Sequence, residues 1–214
     1  MGIAETKRTL WEQELNVDGG FVRTTAVYQK VKELMVTFVP FNHNLVVVHK
    51  KLETVESVPD DLQLTFRYVL HETRKVDKPP HGMSIDPVWN PKLSGVEVFY
   101  KVDGVREYEG LVIMFSDVDV SARVLNNWFE LCTNFHGEGE ATFYLLFVDN
   151  ETADYIREAR RIVKAVRQDG YSRVFERHLD DWGGFLGLLL CGLARQRFSR
   201  CVENVFISYT LRNN

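Results

Sequence analysis

The stretch VEVFYKVDGVREYEGLVIMF, residues 96–115, decides the fold class. At the strand period of two residues, Val96, Val98, Tyr100 and Val102 fall on one face of a first run. Leu111, Ile113 and Phe115 fall on one face of a second run. Between the two runs lies Asp103-Gly104, a residue pair favoured in two-residue hairpin turns because both central positions need positive φ. These residues therefore predict two antiparallel strands joined by a tight turn.

Four more strands are predicted before this hairpin, which makes six in the first 115 residues. Their sequences are rich in β-branched and aromatic residues or alternate between apolar and polar ones. They are placed at Phe21–Tyr28, Leu34–Val39, Leu45–Val48 and Leu62–Leu70. Residues 4–15 are predicted to form a short helix, and residues 77–93, which hold four of the six prolines, an irregular loop.

The second half of the chain is predicted to contain three or four helices and two further strands. The helices are placed at Val118–Phe135, Glu151–Gln168, Tyr171–Leu179 and Trp182–Arg197, and the strands at Ala141–Val148 and Val202–Leu211. Gly170 stands where a helix often ends on a glycine.

The last predicted helix carries four glycines, Gly183, Gly184, Gly187 and Gly192. Each costs about 1 kcal/mol relative to alanine, so a close approach of another backbone is the expected reason. We predict a central buried helix, with a core formed by Phe185, Leu186, Leu189, Leu190 and Leu193. The spacing of Gly183 and Gly187 also fits a helix-dimer face, which predicts a homo-oligomer as the alternative.

The order of these elements predicts an α+β fold with a mostly antiparallel sheet packed by helices. A β-sandwich with appended helices is the alternative. The chain is predicted to be one domain over residues 1–214, β-rich over 20–116 and helix-rich over 117–200, with a closing strand at 202–211.

Composition narrows the class of protein. With 45% hydrophobic and 26% charged residues, the chain is neither disordered nor of low complexity. Three cysteines, Cys132, Cys191 and Cys201, do not make a disulfide framework, which favours the cytoplasm or another reducing compartment over secretion. The sequence lacks a signal peptide, an apolar run of membrane-spanning length and any nucleotide-binding motif, so no cofactor is predicted.

Charge is divided unevenly along the chain. Residues 1–156 hold 15 basic and 24 acidic side chains, whereas residues 157–214 hold 11 basic and 6 acidic ones. On a helical wheel, five basic side chains of 151–168 lie opposite the apolar stripe, and five arginines follow. The predicted anion-binding residues are Arg157, Arg160, Arg161, Lys164, Arg167, Arg173, Arg177, Arg195, Arg197 and Arg200.

This arginine-rich region predicts a non-catalytic binding or scaffold protein with an anionic partner, nucleic acid being the first choice. Arginine pairs bidentately with phosphate. Such a compact domain with a basic face is similar in general plan to viral matrix or nucleic-acid-handling proteins. The opposing interpretation is a solvated helix face, paired in part with the acidic first half, and the sequence pI near 5.9 counts against a dedicated DNA-binding protein.

The N-terminus supports a different function. Residues 1–6, MGIAET, match the N-myristoylation pattern at Gly2. One acyl chain binds a membrane only marginally, so a basic face would have to add the second attraction. A peripheral protein of anionic membranes is therefore an alternative function, although a pattern this short also occurs by chance.

A third function depends on His136, Glu138 and Glu140, which lie around two glycines before a predicted buried strand. Histidine and carboxylate ligands suit zinc or iron, so these residues are weak metal candidates for a small metal-dependent hydrolase. A flexible turn explains the same residues. His178, beside Asp180 and Asp181, is either an acid–base pair or part of a helix junction.

Overall fold

A computed structural model describes residues 8–28, 31–41, 43–54, 62–69, 83–102, 108–125, 128–135 and 138–195. Over these ranges the chain forms eleven strands and one long helix. The strands are β1 (Arg8–Asn16), β2 (Phe21–Tyr28), β3 (Val31–Phe38), β4 (Leu45–Thr54), β5 (Leu62–Val69), β6 (Met83–Asn90), β7 (Gly95–Val102), β8 (Tyr108–Ser116), β9 (Ser121–Leu125), β10 (Trp128–Phe135) and β11 (Gly139–Asp149), and the helix is α1 (Tyr155–Arg195). A 3-10 turn, Pro91–Leu93, joins β6 to β7.

The strands form two antiparallel sheets. Eight strands lie in the order β1-β2-β3-β4-β11-β8-β7-β6, and three in the order β5-β10-β9. The hairpin predicted from residues 96–115 is present, because β7 pairs with β8 and places Val102 opposite Tyr108. Its predicted Asp103-Gly104 turn lies outside the described residues.

The central strands of the large sheet are covered on both faces, by α1 on one side and by the three-stranded sheet on the other. Along β8, Leu111, Ile113 and Phe115 pack with the helix, whereas Val112 and Met114 pack with the smaller sheet. Both sets of side chains leave water, so the central strands have continuous apolar sequences rather than alternating ones. Two cores therefore share one sheet.

Helix α1 bends at Gly170, where φ is 67° and ψ is 175°. This backbone conformation is essentially restricted to glycine. Beyond the bend, the helix is fastened to the turn between β1 and β2. His178 Nε2 donates to the Gly20 carbonyl at 3.0 Å, and Trp182 Nε1 donates to the Val17 carbonyl at 2.7 Å. Gly20 has a positive φ of 63°, and a Cβ there would collide with the Trp182 ring.

The predicted α+β fold with three or four helices is wrong. The mostly antiparallel sheet is found, but the described chain has two stacked sheets and one helix bent at Gly170. The region expected to be helix-rich, 117–200, instead begins with three strands. Gly170 has the positive φ of a helix-ending glycine, yet the chain resumes the helix after it.

The largest local error is the helix predicted at Val118–Phe135, which is the β9–β10 hairpin. A short apolar segment fits both the helical and the strand period. Its valine, tryptophan and phenylalanine residues favour strands, and Leu131 is fully buried against the large sheet. Tertiary packing therefore decides in favour of β structure here.

Two other predicted segments are strands as well. Residues 8–15 of the predicted N-terminal helix lie in β1, which pairs with β2 at the sheet edge. Part of the predicted loop at 77–93 forms β6, the opposite edge, where Pro87 is tolerated because an edge strand need not donate on its outer side. The predicted strand Val202–Leu211 lies outside the described residues.

The predicted central burial of the last helical segment is also wrong. Phe185 is 43% exposed and Leu188 is 75% exposed, and among the described residues nothing lies within 4 Å of a Cβ built on Gly183, Gly184 or Gly187. Close packing against this described part of the chain therefore does not explain the three glycines. The side chains of Leu189, Leu190, Gly192 and Leu193 are outside the described set.

Candidate functional site

The first half of α1 presents a basic face to solvent. Its buried side, which includes Ile162 and Val163, packs on the large sheet. The opposite side carries Arg157, Arg160, Arg161, Lys164 and Arg167, all of them exposed. With a rise of about 1.5 Å per residue, this row is about 15 Å long. One acidic residue, Glu158, lies among the five cations.

One edge of this face leans toward β7 and the turn before it. Arg160 Nε lies 3.9 Å from Glu97 Oε1, and Arg167 Nη1 donates to the Lys92 carbonyl at 3.1 Å. The second contact brings Lys92 beside the basic row. Sequence reasoning missed Lys92 because only the fold joins positions 75 residues apart.

Several of these cations remain unneutralised. Arg157, Lys164 and the Lys92 ammonium make no hydrogen bond or ion pair with any part of the chain that the structure describes. The same holds for the Arg173 guanidinium, beyond the bend. An unpaired exposed cation can contact an external anion without first losing an internal partner. We call Lys92, Arg157, Arg160, Lys164 and Arg167 the basic face from here on.

Two other predicted anion-binding residues, Arg161 and Arg177, already pair with carboxylates of the chain. Arg161 donates to both carboxylate oxygens of Glu158 at 2.7 and 2.6 Å, and these bonds hold the pKa of Glu158 below its usual value. Arg177 pairs with Asp169 and also donates to the Arg173 carbonyl at 3.4 Å. These two arginines are therefore paired within α1 itself and not with the acidic first half of the chain.

The bend at Gly170 limits the basic face. Residues 155–168 carry five basic and one acidic side chain, whereas residues 171–188 carry two basic and three acidic ones. The side chain of Arg195, and Arg197 and Arg200 entirely, lie outside the described residues. The structure thus brings together one part of the predicted arginine set.

A buried carboxylate lies beneath this face. Glu97 is 5% exposed, and its Oε1 accepts no hydrogen bond within the described structure. The 3.9 Å separation from Arg160 is an ion pair but exceeds hydrogen-bond length. The alternation of β7 predicts a solvated Glu97, and α1 instead covers that side of the strand.

Two adjoining clefts share His43, on the other edge of α1. The larger one encloses about 620 Å³, part of it open solvent, and is lined by Phe41, His43, Asn44, Phe147, Thr152 and Glu158. The smaller one lies at the helix bend, and its polar lining is His43, Asp169, Arg177, His178 and Asp181. Burial, and secondarily the Arg161 charge, lower the pKa of His43.

Two of the three weak metal candidates contact other side chains of the chain. Glu138 Oε1 accepts from the Thr54 hydroxyl at 3.2 Å, and Glu140 lies 3.9 Å from His49 Nε2. His136 is outside the described residues. Within the part of the chain that is described, no three histidine, cysteine or acidic side chains are grouped as metal ligands. Cys132 is a buried free thiol, and burial raises its pKa.

The described residues do not test the membrane alternative. Gly2, the predicted acylation site, precedes the described residues. Among those residues, no helix combines the length and apolar character needed to cross a bilayer.

Comparisons with known proteins concern the fold. No protein-family model matches the sequence, and no curated protein matches it either. Among solved structures, a putative kojibiose phosphorylase from human microbiome matches 85% of this chain with a TM-score of 0.63 and 10% identity. A bacterial glucoamylase complexed with acarbose matches 82% with a TM-score of 0.49 and 10% identity. The chain spans about a quarter of both proteins, 25% and 28% of their lengths. At this identity, the first likeness shows a shared fold.

Proposed function

We propose that this chain is a non-catalytic binding module that engages an anionic partner, nucleic acid first, through the basic face. The observation that supports the proposal is the row of exposed cations on α1, of which Arg157 and Lys164 have no partner in the described structure. Guanidinium and ammonium groups in one row suit successive phosphates of a backbone.

The geometry also narrows the proposal. Arg161 and Arg177 are paired and Arg173 lies past the bend, so they contribute less than sequence position implies. Arg160 is available because its contact with Glu97 is long. An arriving phosphate competes there with a buried carboxylate. We therefore expect moderate affinity that depends mainly on charge and little on nucleic-acid sequence.

A salt titration with charge-reversal variants tests this function. Binding of a short DNA duplex and of single-stranded RNA is measured by fluorescence anisotropy. With four phosphate contacts, log affinity should fall with log salt at a slope of about −3.6 on duplex DNA. Arg157→Glu and Lys164→Glu should each weaken the binding and together remove most of it. Arg173→Glu, which matches either single charge change but lies beyond the bend, should change it little.

Two outcomes would end the proposal. One is the absence of binding at low salt. The other is an equal loss of binding from Arg173→Glu and from the double variant, since the first half of α1 would then have no special part.

The fold likeness favours a second candidate, a non-catalytic domain of a larger carbohydrate-active protein. A TM-score of 0.63 over 85% of this chain is the observation behind it. Under this candidate, neither the wild type nor the Arg157→Glu, Lys164→Glu variant should bind nucleic acid. The domain should instead contact a surface of the larger protein. The membrane alternative stays a prediction that depends on Gly2, and the reducing compartment stays a prediction as well.

A further inference from the structure

The larger cleft beside His43 has a balanced charge, unlike the basic face. Its one carboxylate, Glu158, is held by two hydrogen bonds from Arg161. The other polar side chains of the lining, His43, Asn44 and Thr152, are an imidazole, an amide and a hydroxyl. Each can both donate and accept when the imidazole is neutral. This lining favours an uncharged ligand with several hydroxyl groups over an ion.

An aromatic wall lies at the edge of the same cleft. Phe41 is 45% exposed, and its ring centroid lies 5.4 Å from that of Trp182 and 5.2 Å from that of Phe185. Such contacts hold a ring in place while one face stays open. A cleft with an apolar wall and a few convergent polar groups is the usual form of a small-molecule site.

The loop that carries the polar groups is fixed to the sheet. The Phe147 amide donates to the Asn44 carbonyl at 2.9 Å, which ties the start of β4 to β11. The Glu158 amide donates to the Asp154 carbonyl at 3.1 Å, in the first turn of α1. Both walls of the cleft are thus preorganised, which lowers the entropic cost of binding.

The smaller cleft offers a second, independent observation. His178 is 1% exposed, and its Nε2 hydrogen is donated to the Gly20 carbonyl. Its Nδ1 has no hydrogen-bond partner in the described structure. A buried polar atom without a partner calls for one, and a hydroxyl group can either donate to it or accept from it. His43 forms part of both clefts and connects the two sites.

We propose that the larger of these two clefts, which we call the His43 cleft, binds an uncharged polyhydroxylated ligand of about one sugar ring, with Phe41 against its C–H face. Glu158, Asn44 and Thr152 would bond its hydroxyl groups. This site lies on a different edge of α1 from the basic face. It depends neither on the anion-binding function nor on the fold likeness.

An NMR titration of the full chain tests this site. Glucose, mannose, galactose and maltose are added singly up to about 100 mM, and amide shifts are followed. At the binding efficiency usual for small ligands, a ring of this size should bind with a Kd of about 1–10 mM. The shifts should centre on His43, Asn44 and Thr152. Thr152→Val and Glu158→Gln should each weaken binding roughly fivefold, the effect of one lost hydrogen bond.

A control and a charged competitor complete the test. Glu176→Gln, an equal charge change on the second half of α1, should leave the affinity unaltered. Shifts confined to other surfaces, or none with any of the four sugars, would overturn the proposal. Tighter binding of glucose 6-phosphate than of glucose in this cleft would overturn it too, because the lining would then select an anion. The basic-face variant Lys164→Glu should not change sugar binding.

Discussion

The two halves of α1 differ in what they leave exposed. Before Gly170, the helix buries Ile162 and Val163 in the sheet and turns charged side chains outward. After it, the helix is fastened at His178 and Trp182, then leaves Phe185 and Leu188 exposed. Similar apolar residues therefore end in opposite environments. The reach of the sheet beneath the helix, rather than residue type, decides where burial ends, since Val174 and His178 beyond the bend are still buried.

The largest expected effect is a difference in unfolding free energy between truncating a buried and an exposed apolar residue of α1. Ile162→Ala removes a side chain that is 4% exposed and should lower the free energy of unfolding by about 2–5 kcal/mol. Leu188→Ala, at 75% exposure, should change it by less than about 0.5 kcal/mol. Urea unfolding followed by circular dichroism measures both. Equal losses would mean that the second half is covered in solution and would break the comparison.

Glycine substitutions should have opposite signs in different parts of the helix. Gly170→Ala forces an L-residue to φ 67° and should destabilise the protein by about 1–3 kcal/mol. Gly187→Ala adds a methyl group in open space and should stabilise it by up to about 1 kcal/mol. Thermal unfolding of the two variants decides. If Gly187→Ala destabilises the protein, that result would support the close packing predicted from the glycines of this helix.

A smaller effect on the free energy of unfolding is expected from two histidines that lie beside α1, His43 and His49. Burial lowers the pKa of His49, which stacks on Tyr171, and of His43, where the Arg161 charge adds to the effect of burial. The unfolded chain then binds protons more readily than the folded one. Stability should therefore fall as pH drops below about 6.5 and level off below the folded pKa values.

Urea unfolding between about pH 5 and 7 measures this slope, which spans the unfolded histidine pKa. His49→Gln and His43→Gln should each flatten it. Added salt should reduce the His43 part, because it screens the charge of Arg161. It should not reduce the His49 part, because the charges of Glu140 and Asp117 raise the pKa of His49 against the effect of burial. An unchanged slope in both variants would remove these histidines as its cause.

Sequence patterns predicted some elements well. The apolar residues at strand period on either side of Asp103-Gly104 predicted the β7–β8 hairpin, because the strand period and the turn-forming pair are both local signals. The same reasoning failed at 118–135, where the apolar spacing fits either period. Of the candidate site, the basic row of α1 was predictable from helical spacing. Lys92, Glu97 and the His43 cleft were not, since each depends on contacts between distant segments.

The sequence by itself determined the local features of this protein. These are the strand-forming runs, the turn glycines, the amphipathic first half of α1 and the excess of basic residues there. Tertiary structure decided that Ser121–Leu125 and Trp128–Phe135 are strands, that Glu97 is buried, and that Phe185 and Leu188 are exposed. The physical reason is that local patterns determine which side chains benefit from leaving water. Whether a second surface is there to cover them depends on chain segments far away in the sequence.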